Sequence, residues 1–268
     1  HLYIIGEPGS GKTETFVQFC NYALVNNLRV LILCPTGQLV HAYRQRLPEH
    51  DLLRVETMHA GLHIYREDES LVQHAPPMML RKYDATLVDE CSMYDNAVAR
   101  KFIYAFSELP QDPFLALAAD FKQLQPITKG SVMENFCKKQ TTITLRTIHR
   151  TSDTALLDFL SIVRTQKPER PELFRFFHGR RFSTDNPQEA IQFGLELERK
   201  TGHPFVWLCV TRKGAMEVCM EALRMLDLPA DWRVSGYPID PAAGINNDFY
   251  AYPGIVVRLT RNLDKDRG

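Results

Sequence analysis

Gly6, Gly11, Lys12 and Thr13 stand at the spacing G-x-x-x-x-G-K-[ST], with Glu7-Pro8-Gly9-Ser10 between them. Residues of these types in this order can hold a polyphosphate. Gly6, Pro8, Gly9, Ser10 and Gly11 let the backbone turn its N–H groups inward, and the positive end of a following helix adds to the attraction. The Lys12 ammonium would reach the β- and γ-phosphates, and the Thr13 hydroxyl would hold Mg²⁺. A second polar group follows the apolar run Ala85-Thr86-Leu87-Val88, where Asp89 and Glu90 are adjacent. In a nucleotide hydrolase, Asp89 serves the metal and Glu90 orients and deprotonates a water. A nucleotide kinase has less need of that second carboxylate. Past another apolar run, 114–118, come Asp120 and Gln123, and Gln123 is of the type that senses a γ-phosphate or positions water. Taken singly, each of these polar groups also reads as a solvated loop residue.

These residues need elements to position them. Leu2-Tyr3-Ile4-Ile5 reads as a short buried strand, and Phe16, Val17, Phe19, Cys20, Ala23 and Leu24 form the apolar face of a helix from Thr13 onward. Strand-like runs at 2–5, 28–33, 85–88 and 114–118 alternate with helical patterns near 12–26, 37–47 and 96–109. Such alternation predicts an α/β fold, a parallel sheet covered on both faces, with ligands at the carboxyl ends of its strands. The charged, proline-bearing stretch 61–84 reads as a small insertion. Further on, 153–165, 187–200 and 214–226 look helical, while Phe205–Val210 and Ile255–Thr260 look like strands, so a second α/β unit is expected.

Composition sets outer bounds. The chain has 268 residues, long enough for one large or two medium domains. Its 32 basic and 32 acidic residues balance, which argues against a general polyanion binder but not against a local groove. Within 121–150, Lys122, Lys129, Lys138, Lys139, Arg146 and Arg150 face Glu134 alone; by itself this reads as a solvated basic face. No apolar run approaches the ~20 residues of a membrane span. Cysteines 20, 34, 91, 137, 209 and 219 form no C-x-x-C pair, which argues against a metal-cysteine site and for a reduced, intracellular setting.

The order of the phosphate loop, Pro35-Thr36-Gly37, Thr57-Met58-His59, Val88-Asp89-Glu90-Cys91-Ser92-Met93 and Asp120-Phe121-Lys122-Gln123-Leu124 resembles the helicase motifs of superfamily 1, group B, of the RecD/Pif type. Ile148-His149-Arg150, the helix ending at Arg164, and Val210-Thr211-Arg212 resemble later motifs of that family. The resemblance implies a P-loop NTPase with RecA-like parallel sheets. Residues 1–145 would form the ATP-binding domain, with a strand-separating insertion at 61–84. Residues 146–268 would form an incomplete second RecA-like domain leading into an SH3-like insertion. It assigns Arg150 as an arginine finger reaching across from the second domain, and Thr36, His59 and Thr211 as contacts to single-stranded DNA, with RNA possible. Ala119, Gln125 and Arg212 depart from the usual glycine, proline and asparagine. The family's adenine-reading glutamine motif and its last two motifs are missing, so a chain truncated at both ends is expected. The implied activity is ATP- and Mg²⁺-dependent translocation toward the 3′ end of the strand, in the nucleus or mitochondrion of a eukaryote and otherwise in the cytoplasm. The alternatives are an inactive ATP- and DNA-binding module, a P-loop kinase or other ATPase, and an RNA-directed helicase. Oligomeric state is not readable.

Overall fold

The computed structural model describes residues 1–67, 70–73, 77–123, 126, 130–179, 184, 186–203, 206–209, 211–226, 233–234 and 249–250. The chain divides into two compact units, His1–Phe176 and Phe177–Gly268. The sequence places the expected boundary at 145/146; here residues 146–176 lie with the first unit, where the His149 N–H donates to the Gly9 carbonyl and Arg164 is ion-paired to buried Asp120.

In the first unit, β1 (Leu2–Gly6), β2 (Val30–Cys34), β3 (Leu53–Thr57), β6 (Ala85–Val88), β7 (Phe114–Ala119) and β8 (Thr141–Leu145) form one six-stranded sheet in the order β3-β2-β6-β7-β1-β8. All its pairings are parallel. The continuous apolar runs predicted as strands are its inner strands, and β2 and β6 are buried at every position. A strand covered on both faces has no solvent face to mark with polar residues. Successive side chains of β2 alternate between two cores. Leu31 and Leu33 join Tyr3, Val88, Leu115 and Leu117 beneath α4 (Asn96–Ser107), whose Phe102 is fully buried. Val30, Ile32 and Cys34 join Leu87 and Ala116 against Phe16, Val17 and Cys20 of α1 (Lys12–Val25) and Tyr43 of α2 (Gly37–Arg44).

Two strands of this sheet lie outside the predicted set. In β3, Arg54 and Glu56 interrupt the apolar pattern, and in β8 Thr141–Thr144 are exposed. Both are edge strands, each held by the ladder to a single neighbour. The insertion follows a four-residue helix, α3 (Met58–Gly61). It consists of an antiparallel hairpin, β4 (Ile64–Glu67) and β5 (Ser70–Gln73), and a 3₁₀ turn at Pro77–Lys82 whose Leu80 is buried in the α4 core. After α5 (Val132–Cys137), the unit closes with α6 (Thr154–Thr165) and most of α7 (Arg170–Phe177).

In the second unit, α8 (Pro187–Thr201) and α9 (Arg212–Met225) match the predicted helices, and Arg233–Val234 pairs with Phe249–Tyr250 as β9 and β10. The run expected as a strand at 205–210 has no strand pairing at its described positions, 206–209; Val206 and Leu208 are 73% and 94% exposed. An apolar run becomes a strand only when a neighbour supplies the ladder. The strand expected at 255–260 lies outside the described residues. Among the described residues, no helix is long and apolar enough to cross a membrane.

Candidate nucleotide site

The sheet order places β6, β7 and β1 side by side, so Asp89, Asp120 and the loop after Gly6 emerge together at the carboxyl edge. Two glycines make the loop possible. Gly9 (φ 82°) and Gly11 (φ 95°) occupy the left-handed region, and a Cβ on Gly9 would lie 2.4 Å from that of Arg150. Gly11 caps α1 without a side-chain hydrogen bond, which leaves N–H groups of the first turn facing the loop. The backbone N–H of His149 donates to the Gly9 carbonyl at 2.8 Å, which seats the segment carrying Arg150 on the loop.

Lys12 is 6% exposed, and its Nζ donates to the carbonyls of Gly6 (2.7 Å) and Glu7 (3.2 Å). Ser10 is also buried, and its Oγ has no hydrogen-bond partner among the described residues. Thr13 Oγ1 donates to Asp89 Oδ2 at 3.2 Å. Asp89 is fully buried and held by two further donors: the Tyr43 hydroxyl at 2.6 Å on Oδ2 and the Glu90 N–H at 2.8 Å on Oδ1. Burial, with Asp89 beside it, raises the Tyr43 hydroxyl well above its ordinary pKa, so it stays a donor. Glu90 sits at φ 46°, ψ 49°, a conformation that residues with a Cβ adopt rarely and most often where function demands it. The turn lets two successive carboxylates serve one edge. Burial and the negative charge of Asp89 raise the pKa of Glu90, against the opposing pull of Lys12 and Arg150.

Asp120, 2% exposed, takes both Nη1 (2.7 Å) and Nη2 (2.9 Å) of Arg164, with the Lys122 N–H at 3.2 Å and Gln123 Nε2 at 3.3 Å. Burial works against its ionisation, but these hydrogen bonds and the guanidinium charge prevail and lower its pKa. A cavity of ≈ 330 Å³ opens over the loop, its lining including Pro8, Gly9, Lys12, Thr13, Arg46, Glu90, Gln123, His149 and Arg150. The sequence-predicted nucleotide residues thus come together. Arg150 differs from its expectation in one respect: it belongs to the same compact unit as the loop.

The expected DNA contacts are arranged differently. Register pairs Cys34 with Thr57, so Thr36 and His59 follow neighbouring strands at the same sheet edge. Thr36 caps α2, its hydroxyl accepting the Leu39 N–H at 3.4 Å, while His59 is exposed on α3. Thr211, in the second unit, caps α9 through the Gly214 N–H at 3.0 Å. Tyr43, Arg46 and the pairing of Arg164 had no place in the sequence reading. For Tyr43 a signal exists: with Val40 it lies on the buried face of α2, and a buried tyrosine needs a partner for its hydroxyl. For Arg46 and Arg164 there is none.

A Thr hydroxyl beside a carboxylate offers hard oxygen donors of the kind Mg²⁺ takes, because that ion keeps most of its waters and few protein ligands. Residues 2–180 match the model of the AAA domain family, AAA_30. The chain belongs to that family. Comparison with curated proteins returned no match. Among solved structures, this AAA-domain chain is similar to Pif1 of Bacteroides bound to single-stranded DNA, at 14% identity over 92% of this chain and 59% of that one, with a TM-score of 0.56. It is also similar to the Pif1 helicase of Candida albicans, at 18% identity over 75% and 51% of the two chains, with a TM-score of 0.51. The fold is therefore that of these Pif1 structures, with the RecA-like parallel sheet that the motifs implied, and the chain spans between about half and three-fifths of their length.

Proposed function

We propose that this chain carries the motor of an ATP-dependent DNA helicase that hydrolyses ATP with Mg²⁺ and moves along single-stranded DNA toward its 3′ end. The observation that carries the reading is the meeting of Lys12, Thr13, Glu90, Gln123 and Arg150 at one cavity, with Asp89 on the Thr13 hydroxyl. The loop N–H groups of Gly9 and Gly11 and the Lys12 ammonium bind the phosphates, while the Ser10 N–H closes the loop on the Glu7 carbonyl at 3.1 Å. Thr13 Oγ1 and the Asp89 carboxylate hold Mg²⁺, which when bound offsets phosphate charge. Glu90 accepts the proton of the attacking water; its raised pKa makes it a stronger base once ionised. Gln123 contacts the γ-phosphate, and Arg150 stabilises charge on it as an arginine finger.

Thr36 and His59 give single-stranded DNA a hydroxyl donor and an aromatic ring beside this site, and in the second unit Thr211 offers a hydroxyl of its own. Such a motor acts where DNA is: in the nucleus or mitochondrion of a eukaryote, or in the cytoplasm of a bacterium.

The test is ATP hydrolysis with and without a single-stranded DNA oligomer, a matched RNA oligomer in parallel, and Lys12→Ala as control. Stimulation by DNA that Lys12→Ala abolishes is the expected result. Hydrolysis indifferent to either oligomer would overturn the helicase reading, and stronger stimulation by RNA would redirect it. Nucleotide and DNA binding without turnover would leave an ATP- and DNA-binding module.

A further inference from the structure

Helix α6 has no buried residue; Leu160 and Val163 are exposed, and Phe159 stacks on Phe176 of α7 with ring centroids 4.1 Å apart. Its polar attachment to the sheet is Arg164, whose side chain is 18% exposed. Asp120 is saturated by four donors: Oδ1 takes Arg164 Nη2 and the Lys122 N–H, and Oδ2 takes Arg164 Nη1 and Gln123 Nε2. A carboxylate has about four lone-pair sites, so nothing is left over. The same guanidinium places Nε 3.6 Å from Glu7 Oε1 on the phosphate loop. One planar cation therefore joins α6, the end of β7 and the loop. Only an arginine can do this, because its fork serves two carboxylate oxygens at once while lysine offers a single point.

We propose that Arg164 is a positioning residue of the nucleotide site: by filling two of the sites on Asp120, it fixes the carboxylate that orients Gln123 toward a terminal phosphate, and it links α6 to that contact. Without Arg164, the buried carboxylate loses two of its four donors and with them the plane in which it holds the Gln123 amide at 3.3 Å. Gln123 would then lose its fixed orientation in the cavity it lines. The inference rests on the reading of Gln123 as the γ-phosphate contact.

The experiment is titration calorimetry of a non-hydrolysable ATP analogue and of ADP, both with Mg²⁺, on the chain and on Gln123→Ala, Arg164→Ala, Arg164→Lys and the double variant Gln123→Ala/Arg164→Ala. Gln123→Ala is expected to weaken the triphosphate relative to ADP by about tenfold, the equivalent of one hydrogen bond to a charged group. Arg164→Ala is expected to produce the same selective loss, Arg164→Lys a smaller one, and the double variant no more than either single change. Circular dichroism identifies a variant that fails to fold; if Arg164→Ala does, Arg164→Lys carries the test through its selective loss. Equal weakening of both nucleotides, or losses that add in the double variant, would overturn the proposal and leave Arg164 a purely structural ion pair. If Gln123→Ala itself leaves the triphosphate preference intact, the γ-phosphate reading fails first, and the two failures are distinct.

Discussion

The two units of this chain use similar sequence material to different ends. In the first, Ala85–Val88 is a strand buried at every position because β2 and β7 flank it. In the second, Val206-Trp207-Leu208-Cys209 is as apolar, yet it is not in a ladder, and Leu208 is 94% exposed. The first unit can therefore hold polar groups under tension: fully buried Asp89, nearly buried Asp120 and Glu90 in a left-handed turn are each supported by several donors or a packed scaffold. The described part of the second unit buries only Ile191 and Gly194 of α8 and offers no comparable scaffold. A site of this kind needs a core first, because buried polar groups are tolerated only where packed elements bring them their partners.

The sharpest way to break the comparison is at the loop. Lys12→Ala is expected to lower hydrolysis by on the order of a thousandfold, as loss of a charge-stabilising group does, read by phosphate release. Glu90→Gln is expected to remove comparable activity yet stabilise the fold. The raised pKa of Glu90 means that its protonated form fits the folded state better. Stability from this group is present below the ordinary glutamate pKa and is lost as pH rises through the raised value. The neutral glutamine escapes that loss, so its advantage over wild type should appear in urea denaturation above that window and vanish below it. A variant no more stable at neutral pH would refute the account of Glu90.

A smaller effect sharpens the contrast in packing. Leu87→Ala, at a position with no exposure, should cost about 3 kcal/mol of stability. Leu208→Ala should stay within about 0.5 kcal/mol, as exposed positions do. Urea denaturation followed by circular dichroism measures both, and a large loss at Leu208 would show that the run is covered in solution.

The smallest effects separate capping from DNA contact. Thr36→Ala should cost about 1 kcal/mol through the lost cap, while Thr36→Ser should restore it. His59→Ala should leave stability unchanged and weaken single-stranded DNA by about fivefold, the low end for one base stacked on a ring. Fluorescence anisotropy of a labelled oligomer reads that change; unaltered affinity would remove His59 from the interface.

Much of the first unit was legible in the sequence because local chemistry and tertiary fold agree there. The loop spacing names a strand, a turn and a helix together, and the inner strands are apolar throughout. The edge strands β3 and β8 were not legible, since partly exposed residues such as Arg54, Glu56 and Thr141–Thr144 carry no continuous pattern. The compact boundary at 176/177 was equally hidden, because contacts such as Arg164 to Asp120 join residues far apart in the chain.

By itself the sequence determined the phosphate loop, the adjacent carboxylates after an apolar strand and the alternation that makes a parallel sheet, since each is set by residue type at short spacing. Only the tertiary structure decided that β6, β7 and β1 stand side by side, and so that Asp89, Asp120 and Lys12 share one edge. It also brought Tyr43 to Asp89 and Arg164 to Asp120 across 46 and 44 positions of chain. The physical reason is that a buried carboxylate must collect donors from wherever the packed elements bring them, and sequence distance places no limit on which ones those are.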